Sequence, residues 1–260
     1  CYCGALYYPV TSREVIVARK KKHTTPYSMP ALSGLYPTPP FEYREVSQLL
    51  VAFKTDAATM KKLVPSPVTP NKDNLMFVSV ADFLCSGFGR YLEAHVFTTA
   101  TFKRRPVNFS IYLILDNDVA IGAGREIWGF PKKFGRLTLD ITDDVVSSQV
   151  ERGGRTVIDA AMHLERLGTV EDVAGTPEWI ARRFIPNVSM AAPPDIDQLT
   201  STVLSNIEVF DVYKGAGSLN FGDSPADRLC EIPIKQVTGG FYFESQFTLG
   251  DGEVVHDYLA

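Results

Sequence analysis

The sequence predicts a mainly β, α+β fold in one large domain, closed like a barrel and carrying a few short helices. Three observations lead there. Apolar runs rich in β-branched and aromatic residues, bounded by Gly, Pro, Asn and Asp, outnumber segments of helical period. Strands and helices do not alternate, so a doubly wound parallel sheet is not expected. The 260 residues, 45% apolar and 22% charged, can bury a sizeable core and lack the net charge of a disordered chain.

Residues 1–40 read as an N-terminal extended arm. A basic run, Arg19 to His23, precedes Pro26, Pro30, Pro37, Pro39 and Pro40. Proline fixes φ and removes donors, which disfavours both a helix and a central strand. The basic run reads as a solvated stretch.

Residues 41–260 form the domain. Val46 to Phe53 reads as a strand, and Thr55 and Asp56 as the N-cap of a short helix from Ala57 to Val64, stopped by Pro65. Leu75 to Leu84, Tyr91 to Ala100 and Asn108 to Leu115 are strand-like. Leu137 to Ile141 and Val145 to Val150 bracket a turn at Asp143–Asp144, while Thr156 to Leu167 suits a helix or a long strand. Ser205 to Tyr213, Glu231 to Val237 and Gly239 to Leu249 complete the expected strands.

Charge and composition exclude several classes. A net charge of −4, from 26 basic and 30 acidic residues, argues against a nucleic-acid partner. No apolar run approaches the roughly 20 residues that span a bilayer; the longest candidate, Phe109 to Ala123, is broken by Asp116, Asn117 and Asp118. The sparse Cys1, Cys3, Cys85 and Cys230, without CxxC spacing, suit a reducing, cytoplasmic setting. A chain opening at Cys1 reads as processed or truncated, and no signal segment supports a lipid-modified cysteine. Cys85 and Cys230 read as buried apolar residues. Four scattered histidines give no metal spacing, and the paired aspartates read as turns, so no metal is expected.

Two motifs invite chemistry. Gly122-Ala123-Gly124 resembles the start of a dinucleotide fingerprint, but Ile127 occupies the third glycine position, so the glycines read as a turn or a tight backbone approach. Gly124 to Gly135 (GREIWGFPKKFG) is more informative: Lys132–Lys133 after Pro131 suits a solvated pair at a loop edge, yet Trp128, Phe130 and Phe134 surround it with aromatic bulk. Lost solvation and a like-charged neighbour both disfavour the ammonium form, and a neutral lysine attacks carbonyl carbon. An unperturbed lysine of pKa about 10.4 is neutral in about one molecule in 2,500 at pH 7; lowering it to about 6 costs roughly 6 kcal/mol. Burial alone can lower a lysine pKa by up to roughly 3–5, and a cationic neighbour adds to that.

GREIWGFPKKFG closely resembles the lysine motif of the acetoacetate decarboxylase family, whose enzyme is the standing example of such a lysine. The resemblance continues through Phe41 to Glu45 (FEYRE), Leu63 to Pro67 (LVPSP), Ser86 to Glu93 (SGFGRYLE), Tyr112–Leu113 and Leu115 to Ala120. Ile232 to Lys235 (IPIK) and Val254 to Leu259 (VVHDYL) carry it to the end. It implies a closed, cone-shaped β-barrel in a homo-oligomer between dimer and dodecamer, with residues 24–40 able to wrap a neighbouring subunit.

The resemblance implies Lys132 as the Schiff-base lysine, Lys133 as the neighbour that keeps it neutral, Arg44 as an active-site arginine and Glu93 as a pocket carboxylate. Trp128 and Phe130 are expected to line the substrate site. A second family glutamate aligns with Val78, which implies a less acidic pocket and a keto acid larger or more apolar than acetoacetate. The expected activity is decarboxylation of a β-keto acid to carbon dioxide and a methyl ketone, without metal or organic cofactor. An aldolase, dehydratase or cyclase using the same imine is the rival chemistry, and a non-catalytic binding protein is the rival class.

Overall fold

The computed structural model describes residues 27–260. Cys1, Cys3 and the basic run at Arg19 to His23 lie outside the described residues, as does most of the expected arm. Residues 27–40 run in bends and turns over their own chain, where Tyr36 is buried in one cluster with Phe41, Ala120 and Ala123.

Strand β1 (Phe41–Lys54) leads into helix α1 (Ala57–Leu63), where Asp56 Oδ1 accepts from Thr59 N at 2.8 Å, as the capping expectation required. The short β2 (Thr69–Pro70) precedes the hairpin ladder of β3 (Leu75–Cys85), β4 (Gly89–Phe102) and β5 (Arg105–Leu115). Helix α2 (Asp118–Ala123) continues into a π-helical turn, Gly124–Trp128, and the chain re-enters as β6 (Lys132–Phe134). Strands β7 (Arg136–Leu137), β8 (Asp140–Thr142), β9 (Val145–Arg152) and β10 (Arg155–His163) follow. After β11 (Arg166–Leu167) and α3 (Val170–Val173) come β12 (Glu178–Ile185), β13 (Ile196–Gly215), β14 (Gly217–Phe221) and β15 (Gln236–Asp257).

The main sheet runs β4-β3-β1-β15-β13-β12-β5, and a β4–β5 ladder closes this path into a ring. Closure leaves these strands without a free edge, the usual escape from edge-to-edge pairing. A second sheet, β14-β10-β9-β7 with β8 beside β9, covers the ring's outer face. Between them lies the largest core: Leu49, Val51 and Phe53 of β1, Met76, Val78 and Val80 of β3, Ala94 and Val96 of β4, and Val146, Val150, Ile158 and Met162 of the second sheet. The alternate residues of β1, β3 and β4 therefore point into the ring.

Several sequence expectations change. Thr156 to Leu167 resolves as strand, mainly β10. Of Glu231 to Val237 only Gln236 and Val237 are strand, the start of β15: a 3-10 turn at Leu229–Glu231 precedes them, and Pro233 lacks the donor that a ladder needs. Helix α2 and the π-helical turn, together with β12, are elements the strand reading passed over. The β5–α2–β6 crossover is parallel, Leu113 standing opposite Lys132 and Ile114 opposite Lys133. That register determines which lysine faces inward.

Candidate active site

Lys132 follows Leu113 to the inner side of the ring, and Lys133 follows Ile114 to the outer side. The inner side chain is only 7% exposed, and its Nζ donates to Glu93 Oε2 at 2.8 Å. Glu93, on β4, stands opposite Ala81 of β3 and is itself buried. Two residues along the same face, His95 pairs across the ladder with Ser79.

The backbone before the lysine is shaped for it. A β-carbon on Gly124 would stand 2.5 Å from Lys132 Cδ and 2.6 Å from Cε, so only glycine lets the lysine stem lie against the π-helical turn. Gly129 then ends that turn at φ 72°, where its α-carbon lies against the Arg183 backbone. The two glycine positions that matter thus serve packing and turning, in keeping with the tight-approach reading of the Gly122–Gly124 pair.

Around the amine is a cavity of about 140 Å³. Phe97 and Trp179, with His95, line one end; Tyr43, Phe83, Tyr91, Phe247 and Leu249 line the other. Phe130 lies beside the amine, its ring centroid 5.8 Å from Nζ. Gln48, Ser79, Glu93 and His95 supply the polar lining, and Lys132 is the one cation among the lining residues. Tyr43 reaches this wall because the β1 register slips between Tyr43 and Val46 against β15, and between Arg44 and Ser47 against β3, with Glu45 at φ 50°. One extra residue there puts both Tyr43 and Gln48 on the inner face.

Burial sets the electrostatics. Desolvation, with the Lys132 charge nearby, drives the His95 imidazole down to about 3, so it is neutral at physiological pH. Its Nε2 lies 3.1 Å from Ser110 Oγ. Burial pushes Tyr43 and Tyr91 well above the usual phenol range and the Cys85 thiol up to about 11. A thiol held protonated is inert, in keeping with the apolar reading of Cys85. Cys230, by contrast, is exposed.

The outward lysine has a different setting. Lys133 Nζ donates to Asp227 Oδ1 at 2.8 Å, and Arg152 Nε donates to Asp227 Oδ2 at the same distance. Tyr112 hydroxyl also donates to this buried carboxylate. Burial first, then the Arg152 and Arg125 charges, lower the Lys133 pKa. The expectation that Lys133 sits beside the reactive amine is therefore corrected: consecutive strand residues point to opposite faces.

Three more expectations change on geometric grounds. Val78 faces the inter-sheet core, and the cavity is lined on that strand by Ser79, Ala81 and Phe83. Trp128 is buried against Phe41 outside the cavity, its Nε1 donating to Gly250 O at 3.1 Å. Arg44 is an exposed side chain in the β1 bulge, its Nη2 donating to Glu42 Oε2 at 2.6 Å. It borders a surface hollow with Asn206 and Thr248 that shares Tyr43 and Phe247 with the cavity wall, so it stands outside the cavity on the far side of those two rings. Of the expected residues, Lys132, Glu93 and Phe130 come together. Sequence reading missed His95, Trp179, Tyr43, Phe83 and Phe247. Once Glu93 is placed inside, period-two alternation along β4 points to Tyr91, His95 and Phe97. Among the described residues, no cluster of three or more His, Cys, Asp or Glu side chains could hold a metal ion.

Comparison with known proteins agrees with this architecture. The family model described as acetoacetate decarboxylase matches residues 24–259. Acetoacetate decarboxylase 2 of Mesorhizobium japonicum is 28% identical over 239 residues, covering 90% of both chains. The acetoacetate decarboxylase structure from Legionella pneumophila superposes with a TM-score of 0.84 at 28% identity, covering 90% of this chain and 95% of that one. The enduracididine biosynthesis enzyme MppR, solved with the condensation product of pyruvate and imidazole 4-carboxaldehyde, shares the fold at a TM-score of 0.79 and 19% identity, over 90% of this chain and 97% of its own. With its matched span, its closed strand ring and its buried lysine–glutamate pair, this chain belongs to the acetoacetate decarboxylase family.

Proposed function

We propose that the chain is a Schiff-base decarboxylase of β-keto acids more apolar than acetoacetate. The observation that carries this reading is the charge inventory of the cavity, in which the one lining cation is the nucleophile itself. A reaction that keeps the substrate carboxylate needs a partner for that charge in a dry site. Decarboxylation removes the charge, so an apolar cavity favours the transition state over the bound acid.

The 2.8 Å bond between Lys132 Nζ and Glu93 Oε2 supplies the proton path. A proton passed to Glu93 frees the amine lone pair to attack the ketone carbon. Glu93 returns the proton to the carbinolamine oxygen, water leaves, and a protonated imine forms. The carbon–carbon bond to the carboxylate then breaks, its electron pair passing through the new carbon–carbon double bond to the imine nitrogen. Carbon dioxide departs and an enamine remains. Protonation at carbon and hydrolysis release the methyl ketone and restore the amine. The imine is the electron sink, so the scheme calls on no metal or organic cofactor.

Exposed Val203, Ile207 and Phe210 on β13 and Val254 on β15 support a further element of the reading, a homo-oligomer built on these long strands. No helix of the described residues is long and apolar enough to cross a membrane.

Carbon dioxide release from a panel of β-keto acids, with borohydride trapping in parallel, tests the chemistry. We expect carbon dioxide and a trapped adduct together. An adduct without carbon dioxide from any acid would move the function to aldol-type or dehydration chemistry.

A further inference from the structure

Resting on the decarboxylase reading, we propose that the cavity selects β-keto acids bearing an aromatic ring on the ketone carbon, the aroylacetates, and that Trp179 and His95 determine this choice. Three rings form a continuous wall. The His95 and Trp179 centroids are 4.8 Å apart and inclined at 30°, Phe97 lies 4.9 Å from Trp179, and His95 lies 5.1 Å from Phe97. The imidazole belongs to this apolar surface because it is neutral, and its Nε2 is engaged by Ser110.

The wall stands at the right place along the strands. His95 is level with Leu113, and Leu113 with Lys132, whereas the Lys132 amine reaches forward to Glu93. Glu93 and His95 are two residues apart, about 7 Å along an extended strand. A ring attached to the carbon that Lys132 attacks therefore extends back onto the His95–Trp179 surface. On the far side of the amine the wall is more polar, because the Tyr43 and Tyr91 hydroxyls meet there at 3.3 Å.

Shape narrows the class further. A flat aryl ring can lie face-on against the His95–Trp179–Phe97 wall, a contact that a methyl group is too small to make and that a flexible alkyl chain makes only at a cost in rotamer entropy. With no lining cation beyond Lys132, a second carboxylate on the substrate has no partner.

The test compares kcat/KM above the spontaneous background for 3-oxo-3-phenylpropanoate, acetoacetate and 3-oxodecanoate, in the unmodified protein and in Trp179→Leu. Borohydride trapping with acetophenone and acetone, the product ketones, runs alongside. We expect the phenyl acid to exceed acetoacetate by about 30-fold or more, and Trp179→Leu to cut the ratio of the two by about tenfold. Acetoacetate turned over as well as the phenyl acid, or both acids losing equally in Trp179→Leu, would overturn the aryl assignment and leave decarboxylation standing. Preferential trapping of acetophenone on Lys132 without carbon dioxide from any acid would overturn decarboxylation and leave the aryl assignment standing. If Trp179→Leu does not fold, the rank order of the unmodified protein decides.

Discussion

Lys132 and Lys133 are neighbours in the chain and stand on opposite sides of one sheet, each with a carboxylate of its own at 2.8 Å, Glu93 inside the ring and Asp227 outside. Their divergence follows from strand alternation and from the parallel register that sets Leu113 against one and Ile114 against the other. The second lysine acts on the first mainly through the backbone: it ties β6 to the Asp227 loop and to Arg152 of β9.

Lys133→Met should therefore leave the pH profile of kcat/KM in place, because it removes no charge from the cavity. It should lower stability by about 1–3 kcal/mol, since Asp227 loses one charged donor but keeps Arg152 and Tyr112. Rate–pH profiles and urea unfolding check both statements. A profile displaced by a full pH unit would restore a direct electrostatic role.

Gly124→Ala separates backbone from chemistry. The residue has right-handed helical angles (φ −60°, ψ −44°), so alanine suits the backbone by about 0.5–1 kcal/mol. The new methyl group meets Lys132 Cδ at 2.5 Å and must push the flexible stem aside. We expect an unchanged or raised Tm with imine trapping slowed by about 100-fold, the order of loss that misplacing a reacting group by about 1 Å brings. Retained trapping would show that the stem has another route to the cavity.

His95 gives the fold a pH dependence with a defined sign. Its native pKa of about 3 lies below the ordinary value of 6.5, so between these pH values the unfolded chain binds the proton and the folded chain does not. Stability from this group is complete above about pH 6.5 and falls as the pH drops, by up to about 1.4 kcal/mol per unit. Unfolding of the unmodified protein and of His95→Phe at pH 7 and pH 5 should show the gap moving in favour of the variant at pH 5. A constant gap would mean that the imidazole is solvated in the folded state.

Trp128 should behave as a core residue. Trp128→Phe loses the bond to Gly250 O and part of the packing on Phe41, so we expect a lower Tm with KM changed less than about twofold. A large rise in KM with unchanged stability would return Trp128 to the substrate site.

Much of this was legible in the sequence, and the limits have physical causes. The Asp56 cap and the strand runs of β1, β3, β4 and β5 each follow from local chemistry. Lys132 and Glu93 were identified by resemblance, and the fold then brings them into contact across 39 residues of sequence. Val78 shows where a position in a motif is insufficient: which face of β3 turns inward depends on its register against β1 and β4, a tertiary quantity. Arg44 shows the same for a bulge, which turns Tyr43 in while leaving the arginine on the surface. Trp179 was missed because β12 itself was missed. Its run, Glu178 to Ile185, carries three charges, among them Arg182 paired with Asp197, and reads as surface until β13 is laid beside it.

The most direct test is to reduce the protein with borohydride in the presence of a β-keto acid and map the adduct by peptide mass spectrometry. The buried, inward-facing amine requires a substrate-sized adduct on Lys132, none on Lys133, and complete loss of both adduct and carbon dioxide in Lys132→Ala with the fold retained. An adduct on Lys133, or turnover that survives Lys132→Ala, would contradict the assignment of the nucleophile.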